Sequence, residues 1–235
     1  LANIITRKVT KEGWDNTLLH LNLKGHVRYY ALAVLIPFVQ GLLTFITMTL
    51  VYGRWDFSEM TGRVSISDYI GNRLMLFAIG PLFAWNTIGE EFGWRAYMNQ
   101  KMEPLLGTTG TIIAGGILWG VWHAPLTIEG HNFGKDYWGY PWLGIVTMSV
   151  WCIAMGVFLM WLTKKTGSVF PAVIGHYMFN ESQGALANLL YQGSIPENAY
   201  LGMIADVFEY VPMIVVAAVF MIMLFHDNSR TPKTA

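Results

Sequence analysis

Charges are spaced along this chain so that long apolar runs alternate with short polar stretches. Tyr29–Gly53 is a run of 25 residues without a charge, bracketed by Arg28 and Arg54. About 20 apolar residues suffice for a membrane helix, so this run predicts one, and Pro37 inside it implies at most a kink. The stretch Arg54–Asn72 carries Asp56, Glu59, Arg63 and Asp68 and reads as a solvated loop. A second span begins near Tyr69 and reaches at least to Gly89. A third covers Pro104–Ile128, where Gly107, Gly110, Gly115, Gly116 and Gly120 allow close helix contact. Tyr137–Thr163 makes a fourth, a fifth runs from near Thr166 past His176 and Asn180, and a sixth covers roughly Met203–Phe225. The expected fold class is all-α, a polytopic membrane helix bundle of about six spans. Residues 1–28 form a polar, interfacial lead-in, 29–226 the bundle with its core at about 69–226, and 227–235 a C-terminal tail.

Composition agrees with the lipid bilayer as solvent. Hydrophobic residues make up 54% of the chain and charged residues 13%, against about 25% charged in a soluble domain. The net charge is zero and there is no basic tail, so no nucleic-acid partner is expected. Cys152 is the only cysteine and lies in an apolar run, which excludes an intrachain disulfide and makes a poor nucleophile. With the N-terminal segment on one side, that side carries eleven Lys and Arg residues and the other only Arg54, Arg63, Arg73 and Lys135. The imbalance puts both termini in the cytoplasm. Nothing in the sequence sets an oligomeric state.

Two acids interrupt this apolar pattern. Glu90 and Glu91 follow sixteen uncharged residues, Leu74–Gly89. A charge at membrane depth costs on the order of 2.5–3.5 kcal/mol even on the lenient scale, so it is kept where it has a partner or a task. Glu91 and Arg95 are four apart with the acid first, the favourable order for an ion pair on one helix face. Glu90 lies about 100° away round the helix and faces elsewhere. His123, His176 and Asn180 are also embedded in apolar runs. If the chain reverses at Pro104–Gly107, Glu90 and His123 are each ~22–26 Å from the turn at 1.5 Å per residue. A fifth helix entering near Thr166 places His176 ~15 Å and Asn180 ~21 Å along. One Glu, two His and one Asn can therefore reach one level. Taken singly, an intramembrane His or Asn is as readily a helix–helix hydrogen-bond donor.

At these residues the chain resembles the CPBP family of intramembrane proteases, named for CaaX prenyl proteases and bacteriocin-processing proteins. The resemblance rests on Glu90-Glu91-Phe-Gly-Trp-Arg95, on Trp119-Gly-Val-Trp-His123, which fits the pattern Phe or Trp-x-x-x-His, and on His176-Tyr-Met-Phe-Asn180. It covers about Pro81–Asn180. Members commonly have about eight spans, and a chain that opens on Leu1 fits missing N-terminal helices. The resemblance implies an intramembrane endopeptidase acting on a peptide or prenylated protein. Glu90 would be the base for water, His123 its partner, and His176 with Asn180 the donors to the oxyanion. Glu91, Arg95 and Trp119 would support them. Zinc is an open alternative, with His123, His176 and Glu90 as its three ligands, although the His-Glu-x-x-His spacing of zinc proteases is lacking. Peptide or bacteriocin processing, self-immunity, a silent scaffold and an ion- or proton-coupled transporter are the competing readings. The repeat symmetry expected of a transporter is not seen.

Overall fold

The computed structural model describes residues 2–52, 71, 75, 78–190 and 199–230, with side chains for all of these except 45, 48–52, 183–190, 199–206, 208, 209 and 228–230. The solvated loop expected after Gly53 and the start of the second span near Tyr69 lie outside the described residues. What is described is helical, in the order α1 (Ala2–Thr10), α2 (Val27–Tyr52), a 3₁₀ segment (Gly80–Thr87), α3 (Ile88–Gly93), a π-turn (Trp94–Met98), α4 (Asn99–Trp122), α5 (Ala124–Ile128), α6 (Trp142–Thr166), α7 (Phe170–Leu190) and α8 (Ala199–Arg230). Pro37 is accommodated inside α2. Among the described residues, four helical stretches are long and apolar enough to cross a membrane: Val27–Thr44, Gly80–Trp122, Trp142–Thr166 and Tyr210–Asp227.

The second of these stretches contains two of the expected spans. Gly107 (φ 66°, ψ 176°) leaves the helical region and breaks the run, a conformation open essentially to glycine alone. Side chains on either side of it meet: a Cβ built on Gly115 would lie 3.4 Å from the Met98 side chain. The hairpin expected at Pro104–Gly107 is therefore present. At its far end α4 stops at His123, because Pro125 has no N–H to continue the ladder. His123 sits on that joint, its backbone carbonyl accepting from Thr127 N–H at 2.9 Å.

Helix α6 is the centre of the described bundle. It is apolar all round, as a helix enclosed by others must be, and Phe158, Leu159 and Leu162 are wholly buried. Phe158 meets Phe179 of α7 and Phe220 of α8, with ring centroids 5.8 and 4.7 Å apart. Gly167 in the left-handed region ends α6, its N–H donating to Thr163 C=O at 2.8 Å. Large apolar residues such as Leu82, Leu105, Trp142 and Ile222 point outward, as expected where the surrounding solvent is hydrocarbon.

Helix α4 approaches α6 closely through Gly116 and Gly120, a small-xxx-small pair. A Cβ on Gly116 would fall 2.6 Å from Ile153 Cα, and one on Gly120 2.6 Å from Ser149 N. Both obstacles are backbone, so the helices would have to separate. Gly120→Ala is expected to destabilise the protein by about 1–3 kcal/mol, the usual cost of overpacking. Thermal unfolding in detergent reads this out, and a loss below about 0.5 kcal/mol, the range of a neutral surface change, would mean the contact is looser than described.

Candidate active site

The segment α3 plus π-turn carries the acids. Glu91 is fully buried, and one oxygen does most of its work: Oε1 accepts from Arg95 Nη1 at 3.2 Å and pairs with His176 Nδ1 at 2.8 Å. The first contact is the i,i+4 pair expected from the spacing. The second joins α3 to α7. Arg95 is itself buried, with its guanidinium carbon 4.3 Å over the ring of Trp119, a cation–π contact. Gly156 on α6 makes the space: a Cβ there would lie 3.5 Å from Arg95 Nη2. Arg95 also borders a small pocket lined by Thr111, Gly116 and Cys152.

Glu90 is half-buried and faces away from the ion pair, towards α4. Its Oε2 accepts the indole N–H of Trp119 at 2.8 Å. Trp119, 2% exposed, is the residue that ties the site together. Its N–H holds Glu90, its face carries Arg95, its edge meets the His176 ring at 5.1 Å, and its backbone carbonyl meets His123 Nδ1 at 2.9 Å. Trp122 packs edge-on to His123 at 4.9 Å, and Trp94 leans on both tryptophans.

These contacts assign the imidazole tautomers. A carbonyl can only accept, so His123 Nδ1 carries the proton and Nε2 keeps its lone pair. The Glu91 carboxylate likewise accepts a hydrogen bond from His176 Nδ1–H, and His176 then donates from Nε2 only when its ring is doubly protonated. Each ring is oriented by a backbone or carboxylate acceptor, leaving the other nitrogen for chemistry.

Glu90, Glu91, Arg95, Trp119, His123 and His176 are thus brought to one level, in contact through Trp119 and Glu91. Asn180 is not joined to them: it is exposed and takes no hydrogen bond among the described residues. The pairing of His176 with Glu91, in place of a partnership with Asn180 alone, is a contact that spacing could not reveal. For the zinc alternative, no three His, Cys, Asp or Glu side chains among the described residues come close enough to share a metal ion. Glu91 Oε1, the atom in contact with His176, is shared with Arg95, while Glu91 Oε2 is buried without a hydrogen-bond partner among the described residues. The polar continuation of α7 is described only in part: Ser182 is buried, and the side chains of Gln183 and Asn188 lie outside the described residues.

Residues 72–181 match the model of a protein family described as type II CAAX prenyl endopeptidase, Rce1-like. The matched segment contains all three motifs and bears out the resemblance read from them. No curated protein and no solved structure matches the chain.

Proposed function

We propose that this chain, a membrane protein whose residues 72–181 are of the Rce1-like type II CAAX prenyl endopeptidase family, hydrolyses a peptide bond with water activated by Glu90. The observation that carries this reading is the contrast between two adjacent carboxylates. Glu91 is fully buried and engaged by a guanidinium and an imidazole. Glu90 is half-buried and, among the described residues, bonded only through Oε2, to a neutral N–H. One acid is consumed in holding helices together, and the other has an oxygen available to take a proton from water.

The remaining groups supply the rest of the reaction. His123, with Nδ1 held by Trp119 C=O, offers Nε2 as a second acceptor that orients the same water. Attack of the hydroxide on the scissile carbonyl gives a tetrahedral oxyanion. A doubly protonated His176, its ring oriented by Glu91 at Nδ1, donates from Nε2 to that oxygen, with Asn180 as the second donor. The proton held by Glu90 then passes to the leaving amine, which restores the carboxylate. The substrate is a C-terminal peptide whose prenyl chain partitions into the bilayer, at about 0.8 kcal/mol per buried methylene.

A quenched-fluorescent prenylated CaaX peptide, offered to the purified chain in detergent with and without a zinc chelator, tests this. Cleavage that is unchanged by the chelator is the expected result. Cleavage lost on chelation and restored by zinc would replace the glutamate-activated water with a metal-bound one. No cleavage by well-folded protein, of the prenylated peptide or of an unprenylated one, would remove the peptidase reading.

A further inference from the structure

Helix α1 is amphipathic in the reverse sense. Its polar residues Asn3 and Arg7 are buried, at 5% and 2% exposure, while Ile5 and Val9 point outward at 53% and 75%. Asn3 and Arg7 are four apart and share a face, and that face lies against the helical segment that carries the two acids. Asn3 Nδ2 donates to the backbone carbonyl of Phe92 at 2.6 Å, one residue after Glu91. Arg7 Nε donates to Asn3 Oδ1 at 2.9 Å, which decides which way the Asn3 amide points. Arg7 is itself held by Gly13 C=O at 3.0 Å and Asn16 Oδ1 at 2.7 Å, and its guanidinium lies 5.2 Å from the Tyr97 ring centroid.

The target of these contacts is an irregular turn. Over Trp94–Met98 the backbone takes the wider π spacing, Asn99 N–H reaching back five residues to Trp94 C=O. Such a turn holds one residue more than the α register and leaves carbonyls without their usual partner. In a membrane each unsatisfied group is costly, so donors from outside the helix decide whether the turn persists. Asn3 supplies one at Phe92, and Arg7 Nη2 supplies a longer one at Ala96, 3.5 Å away, where Gln100 Nε2 of the helix itself also donates at 2.7 Å. Glu12 fastens the far end of the contact: it accepts from Tyr97 Oη at 3.1 Å and pairs with Lys101 at 2.6 Å. The Lys101 ammonium, hydrogen-bonded to it, holds the Glu12 carboxyl below the usual range.

We propose that Asn3, aimed by Arg7, is a positioning residue for the active site: it holds the π-turn that sets Glu90 and Glu91 against Trp119 and His176. If the turn relaxed to α spacing, the residues after it would rotate by about 100° relative to those before it. Glu90 would then lose its register with the returning helix α4. The consequence for rate rests on the peptidase reading above; the consequence for the turn does not.

Asn3→Asp in the full chain is the test. It keeps the size of the side chain and the bond from Arg7 but removes the N–H offered to Phe92 C=O. The expected result is a fall in kcat of about 10²-fold, the scale of a misplacement of about 1 Å, with KM within about twofold. Hydrogen exchange of the amides between Glu91 and Gln100 should accelerate about tenfold, the loss of one hydrogen bond. Arg7→Met, which frees the Asn3 amide to turn, should move both quantities in the same direction by less. Exchange unchanged in both variants overturns the proposal, as does a kcat that falls only in step with the melting temperature. Exchange is read without substrate. If the wild type cleaves no peptide but Asn3→Asp still accelerates exchange, the peptidase reading fails alone.

Discussion

Glu90→Gln should lower the rate of peptide cleavage by about 10³-fold, the middle of the range for losing a general base, and leave the fold intact. The amide oxygen can still accept from Trp119 Nε1, as Oε2 does at 2.8 Å, so the tether to α4 survives. What is lost is the carboxylate oxygen that would take the proton from water. Initial rates on the prenylated peptide, with thermal unfolding as a control, measure both halves. The same change at Glu91 has the opposite profile. There the carboxylate is wholly buried and balances Arg95 and His176, so Glu91→Gln should lose stability along with activity. A folded Glu90→Gln variant that cleaves within tenfold of wild type, beside a folded and inactive Glu91→Gln, would exchange the two roles.

Arg95→Met is the substitution expected to cost most in stability. Arg95 and Glu91 are 4% and 0% exposed, and removing one member of a buried ion pair leaves the other charge uncompensated, at about 3–5 kcal/mol. The lost cation–π contact with Trp119, at 4.3 Å, adds about 0.5–2 kcal/mol. The double variant Glu91→Leu with Arg95→Met removes both charges, and buried pairs replaced by apolar residues of similar size are often neutral in stability. It should therefore melt above the single variant. It should nonetheless be inactive, because His176 has lost the acceptor that orients its ring. Equal melting temperatures for the two, or a single variant within about 1 kcal/mol of wild type, would show that the pair is solvated; that figure is the upper end for a surface salt bridge.

The level of the site was legible from counting. Glu90 and His123 lie at similar distances from the turn at Gly107, and a constant rise per residue puts them at one depth. The Glu91–Arg95 pair was legible too, since its spacing is the favourable one. Facing was not. Which side of α7 meets α3 depends on how the helices pack against one another, which spacing along the chain leaves unspecified. His176 consequently appears on Glu91, a contact between helices 85 positions apart. The π-turn was equally hidden, because Trp-Arg-Ala-Tyr-Met has nothing to distinguish it from an ordinary helical segment. Arg7 escaped for the converse reason: hydrophobic patterning turns a polar face towards water, and here Asn3 and Arg7 spend theirs on backbone carbonyls.

Trp119 gives the motif a chemical grammar. The pattern admits Phe or Trp four residues before the His, as though one aromatic were as good as the other. In this chain they are not synonyms. A phenyl ring keeps the stack under Arg95 and the edge against His176, and its backbone carbonyl still aligns His123, but it has no N–H with which to hold Glu90. A Phe at position 119 of this chain would leave Glu90 without that tether. Here that tether and the aromatic platform are written in a single residue, so Glu90 and Arg95 cannot be adjusted independently of each other.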